Sequence, residues 1–253
     1  MDSSVRALRP FRDLARGLAK NGIASIRYNK IAFQDPSKLQ TDYDFTPSDE
    51  YTNDALAALQ LLLDDSRIDS SNIFVLGHSQ GGQFAPVISN IDERIKGMIV
   101  MAGVMVHILD LLLEQIKTNQ GLDAYNTYLP HVLATKEIKT PDSSKRNSAY
   151  FGAYYNYWLE YNSLDFKKEV LRASDKVAIL VMQGGKDLQV YPEFYLQYRQ
   201  LLEMKSSVKF KEYANLNHLF VDAGNESLAT AYQKPGNIDE QVVADITSFI
   251  FSN

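Results

Sequence analysis

The pentapeptide Gly77-His78-Ser79-Gln80-Gly81 sets a serine between two glycines, directly after the apolar run 72–76 and before a helical stretch from Gly82. In such a strand–turn–helix setting the serine occupies a sharp, strained turn, and its hydroxyl projects into a cleft. Side chains at 77 and 81 would collide with neighbouring backbone, so glycine is expected at both. The N–H of Gln80, at the start of the helix, then points toward a developing oxyanion.

A serine hydroxyl is a poor nucleophile; it needs a base, and the base needs an orienting acid. The chain offers four histidines. His78 adjoins the serine and points away from its hydroxyl, while His107 and His131 fall in a helical stretch and read as packing or solvent residues. His218, in Asn215-Leu216-Asn217-His218-Leu219-Phe220, follows the last expected strand, where a loop can return to the cleft. For the acid, Gln183-Gly184-Gly185-Lys186-Asp187 ends an apolar strand in a Gly-Gly turn that presents Asp187; Asp222 and Asp165 are weaker substitutes. Ser79, Asp187 and His218 therefore run in the order nucleophile, acid, base.

These residues need a sheet to hold them. Short apolar runs rich in Val and Ile predict buried strands over 22–29, 72–77, 95–102 and 176–184, and the alternating run 207–213 predicts an edge strand. Helical patterns cover 11–20, 46–63, 192–204 and 240–251, the second opening on Thr46-Pro47 with Asp49 and Glu50 in its first turn. Strands alternating with helices imply an α/β fold with a mainly parallel sheet and helices on both faces. Residues 105–171 break the alternation with a helical, aromatic-rich stretch. The expected organisation is a core of residues 1–104 and 171–253 with a helical cap inserted at 105–170. From that cap Tyr154, Tyr155 and Trp158 are expected to line an apolar substrate pocket.

Together these features resemble the α/β-hydrolase superfamily, nearest to bacterial dienelactone-hydrolase-like and serine-aminopeptidase-like esterases. The likeness rests on Phe11-Arg12-Asp13-Leu14-Ala15, Ile26-Arg27-Tyr28-Asn29-Lys30, residues 77–82, residues 184–187 and residues 216–220. It implies catalytic roles for Ser79, Asp187 and His218, with the Gln80 N–H as one oxyanion donor. One departure stands out. Such enzymes begin with three strands, the third leading into a loop that supplies a second oxyanion donor, whereas here 11–20 matches the first family helix and 23–29 the fourth strand. The expectation is that the first three strands and the second donor are missing. In the family's strand order, 1-2-4-3-5-6-7-8, this leaves one empty strand position, a gap of about 9–10 Å. Poor ester hydrolysis is then expected even from a well-formed triad.

Composition bounds the rest. The 253 residues carry 26 Lys and Arg against 31 Asp and Glu, a net charge of −5, so nothing electrostatic favours nucleic acid or an anionic membrane. No run reaches 18 apolar residues, and the N-terminus lacks the apolar core of a signal peptide; a cytoplasmic protein without a membrane partner is expected. Zero cysteines exclude disulfides, thiolate metal sites and cysteine nucleophiles. Phosphate-loop, dinucleotide and zinc-protease motifs are absent, so no cofactor and no metal are expected. Asn225-Glu226-Ser227 fits a glycosylation triplet at a frequency close to chance.

The expected function is a serine hydrolase of small carboxylic esters or thioesters, working through an acyl-enzyme. A non-catalytic remnant of the fold is the reading from another class, and an aminopeptidase or acyltransferase are alternatives within enzymes.

Overall fold

The computed structural model describes residues 8–225, 227, 230, 232, 233 and 235–253; Glu226 of the glycosylation triplet lies outside them. Among the described residues there are six strands: β1 (Ile73–His78), β2 (Ile95–Met101), β3 (Ala149–Tyr150), β4 (Ala153–Tyr154), β5 (Ala178–Gly184) and β6 (Val208–Tyr213). The helices are α1 (Pro10–Lys20), α2 (Ile31–Gln34), α3 (Lys38–Thr41), α4 (Asn53–Leu63), α5 (Gln80–Ile91), α6 (Ile108–Gln120), α7 (Leu122–Lys136), α8 (Tyr155–Tyr161), α9 (Phe166–Ser174), α10 (Pro192–Leu202) and α11 (Glu240–Ser252). A π-helical turn, Ser48–Thr52, leads into α4.

Four strands form one parallel sheet in the order β1-β2-β5-β6. Its apolar runs are continuous because both faces are covered. Along β2 and β5 the side chains still alternate. Ile99, Met101, Leu180 and Met182 pack with Leu14 and Leu18 of α1 and Val242, Ile246 and Phe249 of α11. Met98, Val100, Ile179 and Val181 pack on the other face with Ala85 of α5, Val170 and Ala173 of α9, and Tyr198 and Leu202 of α10. The two-residue period of a strand thus builds both cores from the same runs.

Residues 22–29 correct the sequence reading. They run without ladder partners, and Ile26 and Tyr28 are 40% and 38% exposed, so this segment is not a sheet strand. A strand needs a neighbour to satisfy its backbone groups, and here the nearest sheet edge, β1, lies across an open groove. The groove is a cavity of about 1080 Å³ walled by Ile23, Ile26 and Tyr28 on one side and by Phe74, Leu76 and His78 on the other. Accordingly, four of the six residues of β1 are only half-buried, whereas β2 and β5 are almost wholly buried.

Between β2 and β5 the chain forms α6 to α9 and the antiparallel β3–β4 hairpin. Leu109, Leu113, Val132, Tyr155, Tyr157, Trp158, Tyr161 and Phe166 of this region join Tyr51 and Phe84 in one aromatic-rich core. Ser48 is tied to α8, its N–H and hydroxyl both donating to Glu160 Oε1 at 2.8 and 2.6 Å. No helix among the described residues is long and apolar enough to cross a membrane.

Candidate active site

Ser79 sits between β1 and α5 with φ 56° and ψ −123°, a left-handed conformation that costs a non-glycine residue of order 1–3 kcal/mol. The turn is held by the Ser79 N–H donating to the Met101 carbonyl at 2.8 Å. Gly77 makes it possible. A Cβ there would lie 2.1 Å from the Gly81 carbonyl oxygen, so the strand could not pass the first turn of α5. Gln80 is the first residue of α5, where a backbone N–H has no partner within the helix.

Asp187 leaves the end of β5 and His218 the loop after β6. These loops touch because Gly184 has no side chain: a Cβ would lie 2.5 Å from the carbonyl oxygens of Leu216 and Asn217. His218 Nδ1 donates to Asp187 Oδ2 across 2.7 Å, and both residues are buried. Gln183 Nε2 donates to the same oxygen at 3.1 Å, while Asp187 Oδ1 accepts the N–H groups of Gln189 and Val190 at 2.8 and 2.9 Å. Every partner is a donor, which suits an ionised carboxylate. With its Nδ1 proton fixed, the neutral His218 ring keeps Nε2 as an acceptor.

The structure thus joins Asp187 to His218, and Ser79 follows His78, whose ring lies 4.4 Å from that of His218. Among the described residues Ser79 Oγ has no hydrogen-bond partner, His218 Nε2 included; such bonds are often long before substrate binds. The other candidates lie elsewhere. Asp165 caps α9 and Asp222 accepts the Gly224 N–H in a turn. His107 caps α6 through Nδ1 and meets Asn162 Oδ1 at 2.8 Å, with its pKa lowered chiefly by burial; His131 is exposed on α7.

A second cavity, of about 350 Å³, opens on Ser79 and Gln80 and is walled by Phe151, Tyr157, Trp158 and Ile108. Trp158 is among its walls. Tyr154 and Tyr155 do not line this cavity: their hydroxyls donate to the carbonyls of Gln40 and Thr140. Phe151, from the turn between β3 and β4, and Tyr157, from α8, line it instead.

Sequence reasoning missed Glu50. This buried carboxylate lines both cavities beside Ser79 and is held by Lys30 Nζ on Oε1 at 2.8 Å and by the Tyr157 hydroxyl on Oε2 at 2.9 Å. Lys30 also donates to the Tyr51 hydroxyl and lies 4.2 Å from that ring's centre. Burial first, and the Glu50 charge second, push the Tyr51 and Tyr157 phenols well above their ordinary pKa. The sequence signal was weak: Glu50 reads as an ordinary first-turn acid of a helix.

The chain matches the prolyl oligopeptidase family over residues 39–241. It belongs to that family. The matched span takes in the serine elbow and the loops of Asp187 and His218. Esterase EstD of Thermotoga maritima is 27% identical over 255 residues, an alignment covering 99% of this chain and 58% of the relative. The chain therefore spans 58% of the length of this curated relative. Among solved structures, a metagenome-derived lipolytic enzyme from work on LipS and LipT superposes with a TM-score of 0.57 at 19% identity, over 97% of this chain and 89% of that one. Est1E from Butyrivibrio proteoclasticus gives 0.57 at 15% identity, over 99% and 85%. These likenesses fix the fold as that of the α/β-hydrolases.

Proposed function

We propose that this member of the prolyl oligopeptidase family is a serine hydrolase of small carboxylic esters or thioesters. The observation that carries the reading is the buried 2.7 Å bond from His218 Nδ1 to Asp187, taken together with a serine held at φ 56° on a strand–helix elbow. The esterase named as a relative supports an ester substrate, and the apolar walls of the 350 Å³ cavity suit a compact acyl or aryl group. Residues 105–170 act in this reading as a cap over Ser79.

In the reaction, His218 Nε2 takes the Ser79 proton as Oγ attacks the carbonyl carbon. Asp187 holds the imidazole in its Nδ1–H tautomer and stabilises the imidazolium that forms. The oxyanion is stabilised by the Gln80 N–H at the amino end of α5. Collapse of the tetrahedral intermediate passes the proton from His218 to the leaving alcohol or thiol. Water, deprotonated by His218, then cleaves the acyl-Ser79 ester.

Two measurements test this reading. A fluorophosphonate probe labels the chain, Ser79→Ala abolishes the labelling, and turnover of p-nitrophenyl acetate disappears with it. Labelling that persists in Ser79→Ala would overturn the assignment.

A further inference from the structure

His78 is the last side chain of β1 and the covalent neighbour of Ser79, yet the mechanism above gives it no task. Its ring lies 4.4 Å from that of His218, centre to centre, tilted by 50°. Phe11 and Phe220 box it in with edge contacts at 5.8 and 6.4 Å. His78 Nε2 stands 2.7 Å from the main-chain carbonyl oxygen of His218. A carbonyl can only accept, so Nε2 carries the proton and donates. Burial, followed by repulsion from His218, lowers the His78 pKa to about 3, so the ring stays neutral near pH 7 and its one N–H is committed to the His218 carbonyl.

The loop that carries His218 shows why this bond matters. Its two sides are tied by Asn217, whose N–H donates to the Val221 carbonyl and whose Oδ1 accepts the Leu219 and Val221 N–H groups. Phe220 accepts from the Asp239 N–H. Among the described residues, only His78 reaches the His218 carbonyl. Asp187 orients the ring of the base from β5; His78 fixes its backbone from β1, the strand that also carries the nucleophile.

We propose that His78 is a positioning residue: by donating to the His218 carbonyl it sets the distance between the base and the Ser79 hydroxyl. This rests on the serine-hydrolase reading of the site. Because the Ser79 and His218 side chains are not bonded in the resting structure, their approach depends on how the two backbones are held. A misplacement near 1 Å costs on the order of 100-fold in rate.

The test compares His78→Leu, which keeps apolar bulk without a donor, with His78→Gln, whose Nε2 replaces the donating nitrogen. With p-nitrophenyl acetate, His78→Leu is expected to lose about 10- to 100-fold in kcat while KM moves less than about threefold. His78→Gln is expected to recover most of that loss. The low-field proton resonance of His218 Nδ1–H should persist in His78→Gln and broaden or move in His78→Leu. Equal kcat values and equal resonances in the two variants would overturn the proposal, whether both are active or both impaired, since packing alone would then account for His78. If the unmodified chain shows no Ser79-dependent turnover, the hydrolase reading fails, and the resonance alone still decides whether His78 positions His218.

Discussion

Gln183 and His218 share one oxygen of Asp187: the Gln183 Nε2 bond is 3.1 Å and the His218 Nδ1 bond 2.7 Å, both to Oδ2. Gln183 is itself anchored to the Val190 carbonyl at 2.9 Å. The acid is thereby held from three sides before it touches the base. Gln183→Leu removes one donor from a buried carboxylate, which costs about 1–3 kcal/mol. We expect a lower urea midpoint and, through the less rigid Asp187, a fall in kcat of roughly tenfold; an unchanged midpoint would speak against the role.

Asp187→Asn is the sharper change. One amide oxygen can still accept from Gln189 and Val190, but the amide nitrogen then faces His218 Nδ1 and forces the other tautomer. The expected loss in kcat is roughly 10⁴-fold, with the circular dichroism spectrum unchanged. A loss below about tenfold would remove Asp187 from the triad.

Acid should destabilise the fold before its carboxylates titrate. Burial lowers the pKa of His78 to about 3 and that of His107 also below its ordinary value. In the unfolded chain both bind protons below about 6.5. Between those limits the unfolded state holds more protons than the folded one, so stability rises with pH, is fully present above about 6.5, and drains away as the pH falls toward about 3. The thermal midpoint should therefore drop from pH 7 to pH 4.5. His78→Gln should flatten that slope; the same slope in both proteins would contradict the assignment.

Tyr157→Phe leaves Glu50 Oε2 buried without its donor, since the Tyr157 hydroxyl at 2.9 Å is its partner. The expected loss of stability is about 1–3 kcal/mol, measured by urea denaturation. A double variant, Tyr157→Phe with Glu50→Gln, should recover part of it, because no charged oxygen is then left without a donor, while the amide oxygen can still accept from Lys30.

The groove beside β1 should announce itself to an apolar dye. Ile23, Ile26, Phe74 and Leu76 give the cavity of about 1080 Å³ a largely apolar wall. An anilinonaphthalene sulfonate probe should bind with a blue-shifted, enhanced emission. Ile26→Glu, at a 40% exposed position, should weaken that emission with a stability change within about 0.5 kcal/mol. No enhancement in the unmodified chain would show the groove to be closed in solution.

The sequence by itself determined the parts whose signals are local. Apolar runs of strand length became β1, β2 and β5, because a strand covered on both faces has little choice of residue, and the alternating run 207–213 became the edge strand β6. Gly77 marked a turn that allows no side chain, whereas a Cβ at Gly81, expected to collide as well, would meet nothing within 4 Å; the Gly-Gly turn at 184–185 adjoins Asp187. The remainder depended on partners far away in the chain. Residues 22–29 have a strand's composition but no ladder partner, since pairing depends on which edge lies alongside. That Tyr157 rather than Tyr154 or Tyr155 lines the cavity beside Ser79 was settled by tertiary contacts, the Tyr154 and Tyr155 hydroxyls being held by the carbonyls of Gln40 and Thr140. Glu50 looked like a surface acid until the packing of Lys30 and Tyr157 around it gave a buried carboxylate its partners. His78 acquired its contact only when a loop 140 residues later folded back onto β1, because a hydrogen bond between distant segments exists only once the sheet has brought them together.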